Sequence, residues 1–307
     1  MQRAMALVGA SDVYSEGVEL LKSILNVTIS ESQLYRVTHC LGEKVAADME
    51  IETQHPTLDK GERVYASIDG SMIQMDSGWQ EVKLGRVFRE SAHVENGIKG
   101  KNKIRYRLNE STYSAHLGAH TDFIPKFEAS LGNYKKHETQ LVFITDGAQW
   151  IQNYLTQRFP RAMHILDYYH AAEHLADFAK LNFEDSVKRK KWFKKQKDEL
   201  LEGSVQRVIK NLQKLTKISD QAKTCKLQLI EYYRKNENRM NYKSYRGLGL
   251  LIGSGPMEAA HRTVVQARMK RSGQRWTPAG AKAMLNLRVL HKSKKWDSVD
   301  QLFKRAA

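Results

Sequence analysis

Apolar residues recur at helical spacing between Ser11 and about Asn26, at Val13, Val18, Leu21, Ile24 and Leu25, and again past Ser30, at Leu34, Val37, Leu41 and Val45. Ser30 and Gln33 have the spacing of a capping box, so the second helix begins there and Val27-Thr28-Ile29 forms the turn. This helical hairpin, within residues 1–51, has the outline of a helix-turn-helix, although two helices that merely pack together give the same pattern.

Residues 52–62 are polar, carry Pro56 and Gly61, and read as a linker. Beyond them the period changes. Residues 64–69, 81–88 and 103–110 are β-rich or alternate, which predicts three neighbouring antiparallel strands, and a helix follows over about 119–131. The continuous apolar run at 141–147 predicts a strand buried on both faces. A helix over 148–159, a fifth strand over 162–167 and another helix complete a βββαβαβα order. The predicted class is therefore α/β, with a mixed five-stranded sheet flanked by helices over residues 63–183. Residues 184–247 carry no strand signal and read as an all-α insertion. "GLGLLIGSGP" returns the chain to the core at 248–292, with helices starting near Pro256 and after Thr277-Pro278, and 293–307 form a tail.

Charge narrows the choice of partner. Of 307 residues, 41% are hydrophobic, ample for a core, yet 50 Lys and Arg stand against 34 Asp and Glu, a net +16. Residues 184–246 alone hold 18 basic and 8 acidic side chains, a local +10. Excess of one sign suits a polyanion, nucleic acid first, although a solvated helical surface also carries charge. "KRKKWFKK", residues 188–195, is the densest cluster, with Lys188, Arg189, Lys190 and Lys191 as candidate backbone contacts and Trp192 and Phe193 as anchors of their helix. There is no apolar run of membrane-spanning length and no signal peptide, so the expectation is a cytoplasmic, nucleoid-associated protein without a membrane partner. Cys40 and Cys225 are isolated, which supports neither a disulfide framework nor cysteine zinc binding.

Three carboxylates stand out. Asp69 and Asp146 each close a predicted core strand and each precede a glycine, Gly70 and Gly147. Asp-Gly after a strand is most often a turn, but two at the carboxyl ends of core strands lie where α/β sheets collect ligands. Glu258 enters the first turn of a helix, with His261 at i+3 and Arg262 at i+4. Carboxylates beside a phosphate-seeking arginine suit hard divalent cations and phosphoryl transfer. A competing pattern is His170-Ala-Ala-Glu173-His174, the HxxEH of a zinc peptidase, which a downstream glutamate could complete. It accounts for neither Asp69 nor Asp146.

The ordered set Asp69, Asp146 and Glu258, with a helical insertion before the glutamate, resembles the DDE transposases with a ribonuclease-H-like core. The blocks "SIDGSMIQMDSGWQEVKLGRVFR", "ITDGAQWIQNYLTQRFPRAMHILDYYHAAEHL" and "IGSGPMEAAHRTVVQARMKRSGQRW" are similar to transposases of bacterial insertion sequences of the Kra type, over roughly residues 10–292. That resemblance implies two Mg²⁺ or Mn²⁺ ions held by the three acids, with Asp69 bridging them. It also implies double-stranded DNA, both element ends and target, as partner, a homo-oligomer assembled on it, and Asp167 and His170 as an active-site-proximal Asp-x-x-His. Spacing and charge add Arg262, Arg268, Lys270 and Arg271 as candidate phosphate contacts. Trp276 suits either stacking on an unpaired base or a place in the core. Relatives of this kind are often longer at the N-terminus, whereas this chain opens on the hairpin, which leaves a non-catalytic, transposase-derived DNA-binding protein as the alternative.

Overall fold

Three helices, not two, open the chain: α1 (Gln2–Ser11), α2 (Tyr14–Leu25) and α3 (Glu31–Ala47). The computed structural model describes residues 1–47, 58–97, 104–132, 134, 139–216 and 218–304. Outside the described residues lie 48–51 of the N-terminal region, 52–57 of the expected linker, Lys103 at the start of an expected strand, Lys217 of the insertion and 305–307 of the tail. α1 is rich in small residues because it packs closely. A Cβ on Gly9 would stand 2.1 Å from Thr38 Oγ1 of α3.

The strands of the main sheet are β1 (Arg63–Met75), β2 (Gly78–Arg89), β5 (Thr112–Leu117), β6 (Gln140–Thr145) and β7 (Met163–Leu166). They form one five-stranded sheet in the order β5-β2-β1-β6-β7. β1–β2 and β2–β5 pair antiparallel and β6–β7 parallel, so the sheet is mixed, as expected. The expected third strand, 103–110, is corrected. Its described part, β4 (Ile104–Leu108), pairs instead with β3 (His93–Gly97) in a separate two-stranded ribbon, and β5 takes the place in the main sheet.

The chain forms two compact units, residues 1–140 with 256–307, and residues 141–255. The division falls inside the expected core rather than at residue 184. In the first unit, β2 is covered on both faces. Val82 and Leu84 join a cluster with Met257, Val264, Met284 and Leu285, while Gly85 faces α4 (His120–Gly132) so closely that a Cβ would meet Phe127 at 2.5 Å. That cluster is closed by α13 (Pro278–Lys292), which begins with Thr277 capping Gly280 N and packs against α3 and β5.

The second unit holds β6 and β7 with α5 (Gln149–Arg158) and α6 (Tyr168–Asn182), then the all-α segment α7 (Ser186–Leu201), α8 (Val205–Gln213), α9 (Asp220–Asn236) and α10 (Tyr242–Gly247). α6 packs on α7 and α9, where the Tyr233 hydroxyl donates to Ala171 O at 2.9 Å. No helix among the described residues is long and apolar enough to cross a membrane.

Candidate acidic site

Asp69 lies in the interior of β1, opposite Leu84 of β2, and the strand runs on to Met75. The expected end of the strand at Asp69 is therefore corrected. Gly70 lies close to the carboxylate of Glu81 on β2, so that a Cβ there would come within 1.9 Å of Oε1 and shift that side chain. Glu81 is held by an ion pair with Lys83, whose side chain is almost fully buried. Asp69 Oδ1 accepts from Gly70 N at 2.7 Å, and Oδ2 stands 3.0 Å from Nε2 of His261. Two residues further along β1, Ser71 Oγ accepts from Lys270 Nζ at 2.6 Å.

Glu258 is exposed in the first turn of α11 (Gly255–Ala260). The start of that helix is tied down by Arg86 of β2, a buried guanidinium that donates to Pro256 O and, through Nε, to Ser111 Oγ at 3.0 Å. It also lies over the Tyr113 ring at 5.2 Å. The helix does not stay regular. Residues His261–Gln266 form a π-helix before α12 (Ala267–Met269) resumes the α form. π segments are rare and concentrate at functional sites. Here the π segment begins at the histidine that meets Asp69. Arg262, next in sequence, is exposed.

Beyond it, the basic residues divide. Arg268 is fully buried, with Nε donating to Gly9 O at 2.9 Å and its guanidinium between the Tyr14 and Trp276 rings at 4.9 and 5.3 Å. Trp276 is itself buried, and its Nε1 donates to Met269 O at 3.0 Å. Neither offers a face to DNA, so Arg268 as a phosphate contact and Trp276 as a base-stacking platform are corrected to core residues. Lys270 and Arg271 remain exposed. Arg271 pairs with Asp12 at 2.8 Å and Glu16 at 3.6 Å.

In the second unit, Asp146 follows β6 directly, and its Oδ1 accepts from Ala148 N at 3.0 Å, turning the chain into α5. The Gly147 backbone is covered by Tyr232 of α9: a Cβ on Gly147 would be 2.2 Å from Cε2 and 3.1 Å from the hydroxyl oxygen of that ring. The Tyr232 hydroxyl is buried and has no hydrogen-bond partner among the described residues. Burial, with the charge of Asp146 adding to it, pushes this phenol far above its usual range, so it stays protonated. Sequence reasoning missed Tyr232 because its segment reads as a charged helical surface.

Asp167 is buried, and its carboxylate is occupied as an acceptor. Oδ1 receives Tyr169 N at 2.7 Å and His170 N at 3.4 Å, and Oδ2 receives Ser254 N at 3.2 Å and the Ser254 hydroxyl. The Asp-x-x-His spacing is thus that of an N-cap and the third residue of its helix. Asp167 closes the start of α6 and pins Ser254, four residues ahead of Glu258. In the same loop, a Cβ on Gly253 would be 2.4 Å from the Tyr169 ring.

The two histidines of the HxxEH pattern do share a face, with ring centroids 4.7 Å apart. His170 Nδ1 lies 3.7 Å from Glu173, and the His174 ring rests on Tyr232 at 4.7 Å. Burial, reinforced by His170, lowers the His174 pKa. Among the described residues, no group of three or more His, Cys, Asp or Glu side chains stands ready to hold a metal ion, neither around this pair nor around the three acids.

The basic helix α7 starts at Asp185, which caps Val187 N and Lys188 N, and Trp192 anchors it against Phe178 and Phe183 at 5.5 and 5.3 Å. Lys188, Lys190 and Lys191 are exposed and Arg189 is half-buried. Beside them a cleft of about 560 Å³ is lined by Lys191, Lys195 and three ion pairs: Lys194–Asp198, Arg207–Glu199 and Lys243–Glu202, at 2.6, 3.1 and 3.0 Å.

Fold and side chains together define a mixed α/β protein with one acid inside a core strand, a second directly after another strand and a third at the head of a helix interrupted by a π segment. The chain belongs to the uncharacterised protein family UPF0236, whose model matches residues 11–301. It is 22% identical over 303 residues to a Streptococcus gallolyticus protein described as "UPF0236 protein in vanSb 3'region", a match that covers 92% of this chain and 61% of the relative. The chain thus spans about three fifths of that relative's length.

Proposed function

We propose that this chain is a DDE-type DNA transposase with a ribonuclease-H-like core, acting on the ends of a bacterial insertion sequence. The observation that carries this reading is the place of the acids in the topology. Asp69 sits inside the first strand of a mixed sheet, Asp146 directly follows β6, and Glu258 heads a helix after an all-α segment of net +10. The sheet, antiparallel over β5-β2-β1 and parallel over β6-β7, is compatible with a ribonuclease-H-like core.

On this reading Asp69, Asp146 and Glu258 would supply the carboxylate oxygens that two Mg²⁺ or Mn²⁺ ions favour, although the described residues bring no group of three such side chains together ready to hold a metal ion. The chemistry that such a metal pair would supply is activation of water or a DNA 3′-hydroxyl and stabilisation of the leaving oxygen. The protein's own part is orientation. Gly70 N–H holds one oxygen of Asp69, Arg86 fixes the start of the Glu258 helix, and Asp167 fixes the loop before it. Lys270, Arg262 and the exposed lysines of α7 supply positive charge for the DNA backbone.

The test is nicking of the element's own ends in Mg²⁺. Asp69→Ala, Asp146→Ala and Glu258→Ala each abolish it and keep DNA binding. Undiminished nicking by all three variants refutes the assignment. DNA binding without nicking by the unmodified chain leaves the non-catalytic reading in its place.

A further inference from the structure

The ribbon of β3 and β4 stands outside the main sheet and, among the described residues, pairs with no other strand. An isolated two-stranded hairpin is marginally stable in water, so this one depends on its base. There the chain is tied down on both sides. Ser91 N donates to Glu62 Oε1 and Asn109 N to Ala92 O, both at 3.0 Å, and Arg89 pairs with Glu110 at 3.2 Å. Lys294 Nζ adds a bond to Asn109 O at 2.8 Å. Within the ribbon, His93 and Tyr106 stack with ring centroids 4.6 Å apart and planes 15° from parallel, which stiffens the pair of strands.

From Gly97 onward the charge is of one sign. Residues 97–108 hold five Lys or Arg and no Asp or Glu. Arg105 and Arg107 take alternate positions of β4, opposite Asn96 and Val94 of β3 and about 7 Å apart along the strand. Arg107 is exposed and, among the described residues, pairs with no carboxylate. Other arginines of the first unit are engaged within the fold: Arg63 with Glu90, Arg89 with Glu110 and Arg271 with Asp12. Tyr106, next to Arg107, is 59% exposed, a ring that the fold braces but does not cover.

We infer that the β3–β4 ribbon is a DNA-contacting arm of the first unit, lying in the major groove of a duplex with the arginines of β4 against its phosphates. Two strands about 4.8 Å apart, with their side chains, fit the roughly 12 Å width of that groove. The repeat of alternate residues on β4 is close to the spacing of successive phosphates on one DNA strand. A stiffened arm on a tied base also loses little freedom when it docks. The inference rests on the reading of the chain as a protein that acts on DNA, and it needs neither the three acids nor a metal.

The experiment measures binding of the full chain to a fluorescent duplex of unrelated sequence, by anisotropy over a range of salt concentrations, with circular dichroism as the check on folding. Arg105→Ala/Arg107→Ala, Arg105→Lys/Arg107→Lys and Arg107→Ala are compared with the unmodified chain. Each phosphate contact adds about −0.9 to the slope of log affinity against log salt. The Ala pair is therefore expected to flatten the slope by about two, Arg107→Ala alone by about one, and the Lys pair to keep it. Should the Ala pair fail to fold, Arg107→Ala at its exposed position still decides. An unchanged slope in the folded Ala variants, with the unmodified chain bound to DNA, overturns the arm and leaves the DNA reading standing. A smaller sedimenting mass in those variants would then assign the ribbon to contact between copies of the chain. Flattening by the Lys pair as large as by the Ala pair also overturns the arm, because charge would not be what the arginines supply. No binding of the duplex by the unmodified chain overturns the DNA reading and this inference with it.

Discussion

Replacing Asp167 by Ala removes four hydrogen bonds in one step. Two are the cap of α6, from Tyr169 N and His170 N, and an N-cap aspartate contributes about 1 kcal/mol over alanine. The other two come from Ser254, whose amide and hydroxyl both point at Oδ2 of a side chain only 3% exposed. Leaving partly buried donors unpaired costs about 1–3 kcal/mol. Asp167→Ala is therefore expected to lower the free energy of unfolding by about 2–4 kcal/mol. Asp167→Asn keeps one acceptor oxygen and loses about half as much. Urea unfolding followed by circular dichroism measures the total. Hydrogen exchange of the Tyr169, His170 and Ser254 amides locates it, since all three gain exchange in the Ala variant. A loss below about 1 kcal/mol, with those amides still protected, would show that the carboxylate is not what holds the loop.

Gly147→Ala forces a Cβ to within 2.2 Å of the Tyr232 ring and is expected to destabilise by about 1–3 kcal/mol, with Gly147→Ala/Tyr232→Leu losing less than the sum of the single changes in urea unfolding. Burial, aided by Lys292 and Arg288, lowers the His291 pKa to about 4. The unfolded chain, with an ordinary histidine pKa of about 6.5, binds that proton more readily, so the stability is full above pH ~6.5 and lost as pH falls toward 4. With the ring only half-buried the loss is of the order of 1–2 kcal/mol, and a thermal-melting series in which His291→Gln shows the same pH slope over this window would contradict it. Neutralising Lys188, Arg189, Lys190 and Lys191 is expected to flatten the slope of log affinity for duplex DNA against log salt by about two to four, and an unchanged slope in a folded variant would assign them to a solvated face.

Periodicity carried most of the fold. The helices near 119–131, 148–159 and 278 onward, the strands at 141–147 and 162–167, and the all-helical run after residue 184 are each present within a few residues of where the pattern puts them. The third strand of the sheet was lost to a better-looking rival. Residues 104–108 alternate Ile, Arg, Tyr, Arg, Leu, the pattern of a strand, whereas "TYSAHL" at 112–117 does not alternate because β5 is buried along almost its whole length. α1 was missed for a related reason: three of the four residues it buries, Ala6, Gly9 and Ala10, are small, and only Met5 among them is large and apolar. At the site, Asp69-Gly70 misled on where the strand ends, because the turn preference of Asp-Gly is local, while β1 is held on to Met75 by its pairing with β2. Arg268 and Trp276 misled because "ARMKRSGQRW" shows charge but not which side chains fold inward.

The first unit is assembled from both ends of the chain. Close backbone packing joins these two parts directly, since a Cβ on Gly42 of α3 would lie 2.4 Å from Ala283 O of α13. During synthesis α3 therefore leaves the ribosome with the surface that meets α13 uncovered and waits until α13 is made, about 245 residues later. At about 5–20 residues per second, that wait lasts on the order of tens of seconds. The second unit, continuous in sequence, can close in the meantime. The protein is thus exposed to misassembly at its N-terminus, in the interval before α13 arrives, and a chaperone that shelters α1 to α3 over that interval would raise the yield of folded chain.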